Sequence, residues 1–561
     1  PPHLVPADFV ALDALPLTAN GKVDRAALPE PRRGASGGTR SPAEHRMAAI
    51  WAEVLGLDAA EIGPDHDFFE LGGHSLLATH VVARVQEEFG TETPLRAIFE
   101  APTVAGLTAV VESEAAGAHR RPSLAPRPRE AGAAVPLSLA QEQMYGLELA
   151  ATPPGLYNIT ALHRFPGPVD VDAVARAVAC VVARHEMLRT AFAVDGGGRP
   201  YQLVGPACGV DVAVAAVGDE DEQQRRIAAQ DAAPFDLGRP PLFRVGLFPL
   251  TDGSTRLALT VDHLVADGTG AAIFMSELLT AYEAAVAGRP PSLPALAVQF
   301  ADFALWQRAH LTDEVLDRQL AWWLKTLAGM PLGPAVPFDR APSTPTRRIA
   351  STGVVVGEAV RARLDEVARA TGSTLFTVAV AAVGALLGRH GGTADVVMST
   401  TLSGRNRVEL ENLIGSFSGI GRLRTDLSGD PSFAEIVVRA RDRVLGMFEN
   451  QDVPFMRVRR ALVPDFPTGA LELAAALPIE FQYFHVGEEQ ELFFRGQLHP
   501  LSVTLRDDGA RVAGQLRYKL DFYEPSTVDR LARDLERLLG AVAADPTLRF
   551  SDLPVSPRVR R

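Results

Sequence analysis

The sequence predicts a multidomain chain in which a small all-α bundle is followed by a much larger α/β region. Three observations carry this reading. Residues 29–40 and 115–133 are rich in Pro, Gly and Ala and interrupt the composition as linkers do. Between them, apolar residues recur at helical spacing over roughly 75 residues; beyond the second linker, β-rich runs and amphipathic helices mix over about 420. At 561 residues the chain is also too long for a single core.

Bulk properties exclude several classes. The chain is 47% hydrophobic, 22% charged and 7% aromatic, with a net charge of −13. That composition is globular, and an acidic balance argues against a nucleic-acid surface, which needs a basic stripe. Two cysteines, Cys180 and Cys208, are too few for a disulfide framework or a cysteine-rich metal site, so no metal is expected. The longest apolar run, Leu375 to Leu387, is about 13 residues and includes Thr377, too short and too polar to span a bilayer. With no signal-peptide layout at the start, the expected compartment is the cytoplasm and no membrane partner is expected.

The first stretch, Pro16-Leu17-Thr18-Ala19-Asn20-Gly21-Lys22-Val23-Asp24-Arg25, resembles the last motif of adenylation domains. Lys22 matches the lysine that steadies the adenylate in that family. Residues 1–28 therefore read as the C-terminal tail of an adenylation domain whose remainder is absent, which orders the assembly as adenylation, carrier, then the large region.

In 41–114, Ala43, Met47, Ile50, Trp51, Val54 and Leu55 fall on one helical face. Then comes Asp67-Phe68-Phe69-Glu70-Leu71-Gly72-Gly73-His74-Ser75-Leu76-Leu77, two glycines before a serine that opens an apolar helical run. A serine there stands at the positive end of a helix dipole, where phosphate is favoured, or it merely caps the helix. A third helix is expected from about Thr93 through Leu95, Ile98 and Phe99. The segment resembles a peptidyl carrier protein of non-ribosomal peptide synthetases. The resemblance implies a four-helix bundle carrying 4′-phosphopantetheine covalently on Ser75, installed by a phosphopantetheinyl transferase. His74 is expected to be a spectator.

Beyond 133, Leu257-Ala258-Leu259-Thr260-Val261 is a β-rich run that leads into Asp262-His263-Leu264-Val265-Ala266-Asp267-Gly268, and a helix is expected from about Gly270 through Leu278-Leu279. The heptad thus sits on a strand-to-helix loop, a position where rigid elements present reactive groups. Ser138-Leu139-Ala140-Gln141-Glu142-Gln143-Met144-Tyr145, Tyr157-Asn158, Arg184-His185-Glu186-Met187-Leu188-Arg189, Asp302-Phe303-Ala304-Leu305-Trp306, Ile414-Gly415-Ser416-Phe417 and Asn450-Gln451-Asp452-Val453-Pro454-Phe455 stand in order along the region. Together they resemble a non-ribosomal peptide condensation domain over 134–555. The resemblance implies two chloramphenicol-acetyltransferase-like lobes in a V with a tunnel between them, the N-lobe over 134–308 and the C-lobe over 309–561.

The implied activity is carrier-tethered amide formation. The donor thioester on Ser75-pantetheine is attacked by the amine of an acceptor on a downstream carrier. His263 is the candidate for handling the amine proton, and Gly268 lets backbone approach the reacting centre without a Cβ. Asp267 matches the aspartate that forms a structural ion pair with an arginine in the family, and Arg405 in Ser403-Gly404-Arg405 matches that partner. His185, His310, His390 and His485 are read as ordinary residues.

Three positions depart from the pattern. Asp262 replaces the first histidine of the heptad, Ser418-Gly419-Ile420 stands where an asparagine is usual, and the seventh motif is unrecognisable around 470–484. Asp262 is expected either to support the loop by accepting backbone hydrogen bonds or, if ionised beside His263, to raise its pKa. Asp262 and Asp267 also spell the Asp-x-x-x-x-Asp of heterocyclization domains, though Gly270 stands where those carry serine. An epimerase relative is disfavoured by the opening and second motifs. A docking or gating domain without chemistry is the alternative from another class.

Overall fold

The protein is described by a computed structural model over residues 40–115, 123–130, 132–150, 154–207, 209–340, 348–465, 475–485, 491–494 and 499–556. It separates into two compact units that meet in sequence at 121–122. The stretch 1–28 with Lys22, the linker from 29 to 39, and Cys208 lie outside the described residues.

The small unit is four helices: α1 (Pro42–Leu55), α2 (Ser75–Phe89), α3 (Arg96–Glu100) and α4 (Val104–Ala115). Ser41 starts α1 with a reciprocal cap. Its Oγ accepts from Glu44 N at 3.1 Å, and Glu44 Oε2 accepts from Ser41 N at 2.6 Å. Gly56, at φ 67°, ends the helix in the left-handed region. Met47, Ile50 and Trp51 are buried as their spacing predicts. The ring of Phe68, fully buried, packs edge-on against Trp51 at 5.3 Å.

The large unit opens with residues 123–130, which the sequence places in a linker but which pack onto the first lobe. Leu124 is buried in its core, and Arg127 N donates to Asp302 Oδ1 at 3.1 Å. The lobe then runs β1 (Ala134–Pro136), α5 (Leu139–Ala150), β2 (Ile159–Phe165), α6 (Val171–Arg184), β3 (Thr190–Val194), β4 (Pro200–Val204), β5 (Val212–Val214), α7 (Glu220–Ala232), β6 (Phe243–Pro249), β7 (Thr255–Val261), α8 (Gly268–Val286) and α9 (Phe300–His310). Strands β1, β4 and β3 form a small sheet. Helix α9 runs through 308 to His310, and the next helix begins at Asp313.

The second lobe holds α10 (Asp313–Thr326), β8 (Ile349–Val356), α11 (Glu358–Ala370), α12 (Leu375–Gly391), β9 (Asp395–Leu402), β10 (Gly419–Asp426), α13 (Phe433–Glu449), α14 (Phe455–Leu462), β11 (Ile479–His485), β12 (Glu491–Phe494), β13 (Leu501–Asp507), β14 (Val512–Lys519) and α15 (Pro525–Ala544). Its six-stranded sheet has the order β10-β9-β11-β13-β14-β8. The apolar run 375–387 is the interior of α12, buried among the sheet, α13 and α15. No single helix among the described residues is long and apolar enough to cross a membrane.

One strand crosses between lobes. β12 pairs antiparallel with β2, Glu491 opposite Leu162 and Phe494 opposite Ile159, giving the first lobe's main sheet the order β12-β2-β7-β6-β5. The second lobe thus supplies an edge strand to the first, covering backbone groups that an open edge would leave unpaired.

Candidate active site

In the small unit, the loop before Ser75 is shaped by close packing. Phe68 N donates to Pro102 O at 2.8 Å, and Gly73 N donates to Phe68 O at 2.9 Å. A Cβ on Gly73 would lie 2.3 Å from the Phe68 ring, and Gly72 adopts φ 96°, so both glycines are required where they stand. Asp67 Oδ1 accepts from Phe69 N at 2.7 Å, closing the turn. His74, expected to be a spectator, is the N-cap of α2: its Nδ1 accepts from Leu77 N at 3.5 Å. Ser75 is therefore the first residue of a 15-residue helix and not its cap, at the end where unpaired N–H groups favour a phosphate. This junction fits a phosphopantetheine arm attached at Ser75.

In the large unit, β7 delivers the heptad to the loop and α8 takes it away. Asp267 caps α8, its Oδ1 accepting from Gly270 N at 2.7 Å. The same oxygen meets Arg405 Nη2 at 3.1 Å, while Oδ2 accepts from Phe417 N at 3.0 Å and Ser418 N at 3.1 Å. Arg405 in turn donates through Nη1 to Leu410 O at 2.6 Å and Leu413 O at 2.8 Å, and lies 4.2 Å over the Phe417 ring. Both charged groups are buried, and each is the other's counter-charge. Together they clamp the heptad of the first lobe to the segment 414–418 of the second. Gly415 permits the approach, since a Cβ there would lie 2.0 Å from Phe300.

The opening motif acts on the same loop. Gln141, buried, donates through Nε2 to Leu264 O at 3.3 Å, and its own turn is closed by Ser138 Oγ accepting from Gln141 N at 3.1 Å. Gln143 Oε1 accepts from Met456 N at 3.1 Å, a further tie between the lobes.

His263, between these anchors, is half-buried. Its ring approaches Ser416, Nδ1 to Oγ at 3.5 Å, too long for a strong hydrogen bond. Burial of the ring pushes its pKa below the ordinary 6.5, and the Asp267 charge opposes this without reversing it. The imidazole is neutral at pH 7 and able to accept a proton. Gly268, the first residue of α8, is half-buried directly beside Asp267.

Asp262 behaves differently from the expectation that it raises the His263 pKa. It is 2% exposed, and its Oδ1 accepts from Leu264 N at 2.9 Å while its carbonyl accepts from Val265 N at 3.0 Å. It thus closes the turn that presents His263. Burial lifts its own pKa to about 6, against the Leu264 hydrogen bond and the Arg244 charge, which pull downward. The downward shift at His263 comes from burial, with Asp267 opposing it, and Asp262 has no part in it. The Asp262 charge acts instead on Glu148 of α5, whose pKa is pushed up to about 8 by burial and then by Asp262. Arg244, the nearby cation, is already committed to Ala233 O at 2.9 Å and Pro234 O at 2.6 Å. Neither Glu148 nor Arg244 carries any signal in the sequence that would link it to the heptad.

The other histidines stand elsewhere. His185 Nε2 meets Glu277 Oε2 at 2.8 Å, and His390 Nε2 meets Asp534 Oδ2 at 2.9 Å, both buried structural pairs. His310 Nδ1 lies 2.7 Å from Trp306 O.

Comparison with known proteins resolves what these two units are. The family model described as "Condensation domain" matches residues 132–559, and that described as "Phosphopantetheine attachment site" matches 45–111. The chain belongs to the condensation-domain family. It is 36% identical to a linear gramicidin synthase polypeptide of Brevibacillus parabrevis, over 99% of this chain but only 7% of that protein's length. Its condensation domain is similar to the X-domain in the complex of the X-domain and OxyB from teicoplanin biosynthesis, with a TM-score of 0.69 and 31% identity over 79% of this chain and all of that one. The fold is shared by the first condensation domain of the calcium-dependent antibiotic synthetase in complex with a substrate analogue, at TM-score 0.62 and 23% identity over 76% of this chain and all of that one. The carrier preceding the condensation domain holds 4′-phosphopantetheine, which supplies a flexible thiol for thioester tethering.

Proposed function

We propose that the chain forms an amide bond between carrier-tethered substrates in a non-ribosomal peptide synthetase. The donor is an aminoacyl or peptidyl thioester on the arm of Ser75. The acceptor amine, on a downstream carrier, adds to the thioester carbonyl. His263 takes the proton that the amine loses, the carbon–sulfur bond breaks, and the thiolate leaves with a proton to give the free pantetheine thiol and a new amide. Gly268 keeps backbone from crowding the carbonyl. Asp267 and Arg405 hold the loop, and Asp262 closes the turn before His263. Convergence of two tethered reactants supplies proximity as well.

The observation that carries this reading is His263: neutral, half-buried and without a strong partner, on a loop whose other polar side chains are committed. Residues 41–114 would be the carrier, and 1–28, with Lys22, the end of an upstream adenylation domain. A phosphopantetheinyl transferase would prime Ser75, and the cytoplasm is the fitting compartment. Because the chain spans 7% of the gramicidin synthase polypeptide, substrates and order of assembly belong to the proposal.

A second reading, a docking domain without chemistry, is raised by the likeness to the X-domain found with OxyB and by Asp262 in place of a histidine, but is not favoured. One assay separates them. With an aminoacyl-pantetheine loaded on Ser75 and an acceptor thioester supplied, intact mass is expected to show the dipeptide. No dipeptide would favour docking, and a product lighter by water would favour heterocyclization.

A further inference from the structure

Two arginines are buried among the described residues, Arg405 and Arg422, and they are partnered differently. Arg405 has Asp267. Arg422, on β10, is 8% exposed, and among the described residues no carboxylate lies within ion-pair distance of it. It is nevertheless held in one place. Nη1 donates to Ser399 Oγ at 2.7 Å and to Gly421 O at 3.1 Å, and the guanidinium lies 4.0 Å over the ring of Phe455. An isolated guanidinium is costly to desolvate, and hydrogen bonds to neutral oxygens offset only part of that cost.

Among the described residues its surroundings are short of negative charge. Arg422 sits opposite Ser399 on β9, which sits opposite Glu480 on β11, then Ser502 on β13 and Arg517 on β14. Paired residues share a face, so this is a single polar row across five strands. The alternate residues Met398, Leu423, Ile479, Leu501 and Leu516 belong to the core on the other face. Glu480 is the carboxylate whose charge reaches Arg422, and it also acts on His499 and Arg517, while the charge of Arg459 works against Arg422. Burial pushes the Arg422 pKa down to about 9, so the group is still a cation at neutral pH.

Arg422 lies against the ring of Phe455, at the margin of the space between the lobes. Phe455 and Ile420, the latter two residues before Arg422 on the same strand face, line a cleft together with Leu139, Gln143, Phe303 and Phe417. Ser416, beside His263, stands six residues before Arg422, so the two are at most about 20 Å apart at about 3.3 Å per residue. That span is within reach of groups carried on a pantetheine tether whose thioester lies at His263.

We propose that Arg422 is the seat of an oxyanion-binding subsite of the inter-lobe cleft, taking a phosphate or carboxylate carried by a tethered substrate. The proposal rests on the reading of that cleft as the substrate channel. Ser399 and Phe455 preorganise the guanidinium, and the incoming oxyanion supplies a charge partner at contact distance, closer than Glu480.

Calorimetric titration of the full chain tests this without turnover. The probes are 4′-phosphopantetheine against pantetheine, and S-succinyl-pantetheine against S-butyryl-pantetheine. One charged probe is expected to bind at least about tenfold more tightly than its neutral counterpart. Preference for the phosphate identifies the arm as the source, and preference for the succinyl group identifies a substrate carboxylate. Inorganic phosphate should compete with the preferred probe. The preference should vanish in Arg422→Gln and return in part in Arg422→Lys. Equal binding of charged and neutral probes by the parent chain, or a preference that survives Arg422→Gln, overturns the proposal. A chain that shows the preference but forms no dipeptide would sink the amide-forming reading and leave the subsite standing.

Discussion

Two aspartates five positions apart in one loop have opposite surroundings. Asp267 has Arg405, three backbone N–H groups and a helix N-terminus directed at its carboxylate. Asp262, equally buried, has one backbone N–H at its side chain, the charge of Arg244 acting without an ion pair, and a second carboxyl, Glu148, on which its own charge acts. The first arrangement stabilises an anion and uses it to join two lobes. The second burdens the fold with charge and holds both carboxyls protonated to higher pH than usual. Residue type is the same in both; the partners, contributed by distant segments, decide the role. His263 stands between them, positioned by both and held strongly by neither.

The largest effect is expected at Asp267. Asp267→Ala leaves Arg405 buried without its counter-charge and strips a cap from α8, so stability should fall by about 3–5 kcal/mol, read from the urea midpoint of the large unit. A loss below about 1 kcal/mol would remove the clamp from the account.

Asp262→Asn should do the reverse. Both Asp262 and Glu148 have raised pKa values, so the fold is unpenalised below their ordinary values of 3.8 and 4.5 and loses stability as pH climbs to about 6 and about 8 respectively. The variant keeps an oxygen for Leu264 N and loses the charge. At pH 8 it should be more stable than the parent by on the order of 1–3 kcal/mol, and at pH 4 the two should converge. Denaturation midpoints across that range check the sign, and a variant less stable at pH 8 contradicts it. Glu148→Gln should shift the curve in the same direction by less, because Glu148 is only half-buried. Ser416→Ala is the smallest change: with its hydroxyl 3.5 Å from His263, stability should stay within about 0.5 kcal/mol of the parent.

Local features of this site were legible in the sequence. The run Leu257–Val261 and the glycines after Asp267 announce a strand, a loop and a helix, and the structure places β7 and α8 there. The two glycines before Ser75 likewise announce a tight turn into α2. What escaped depends on contacts between segments far apart. Nothing in the short strand Glu491–Phe494 says that it pairs with Ile159–Leu162 in the other lobe, because strand pairing at that separation leaves no periodicity. Glu148 is 114 positions before Asp262, and its influence emerges only once α5 is packed against the heptad. Arg422 escaped for the same reason: whether an arginine on a strand is solvated or buried depends on what covers it, here Phe455 of α14.

The central claim is that a neutral His263 handles the proton in amide formation while its neighbours only position it. Single-turnover dipeptide formation, followed by intact mass across pH in the parent and in His263→Ala, tests it most directly. The account predicts an acid limb in the parent with a midpoint below 6.5, since only the neutral imidazole accepts a proton, and a rate lower by roughly a hundredfold to ten-thousandfold in the variant. Equal rates in the two proteins, with the same pH profile, would contradict it.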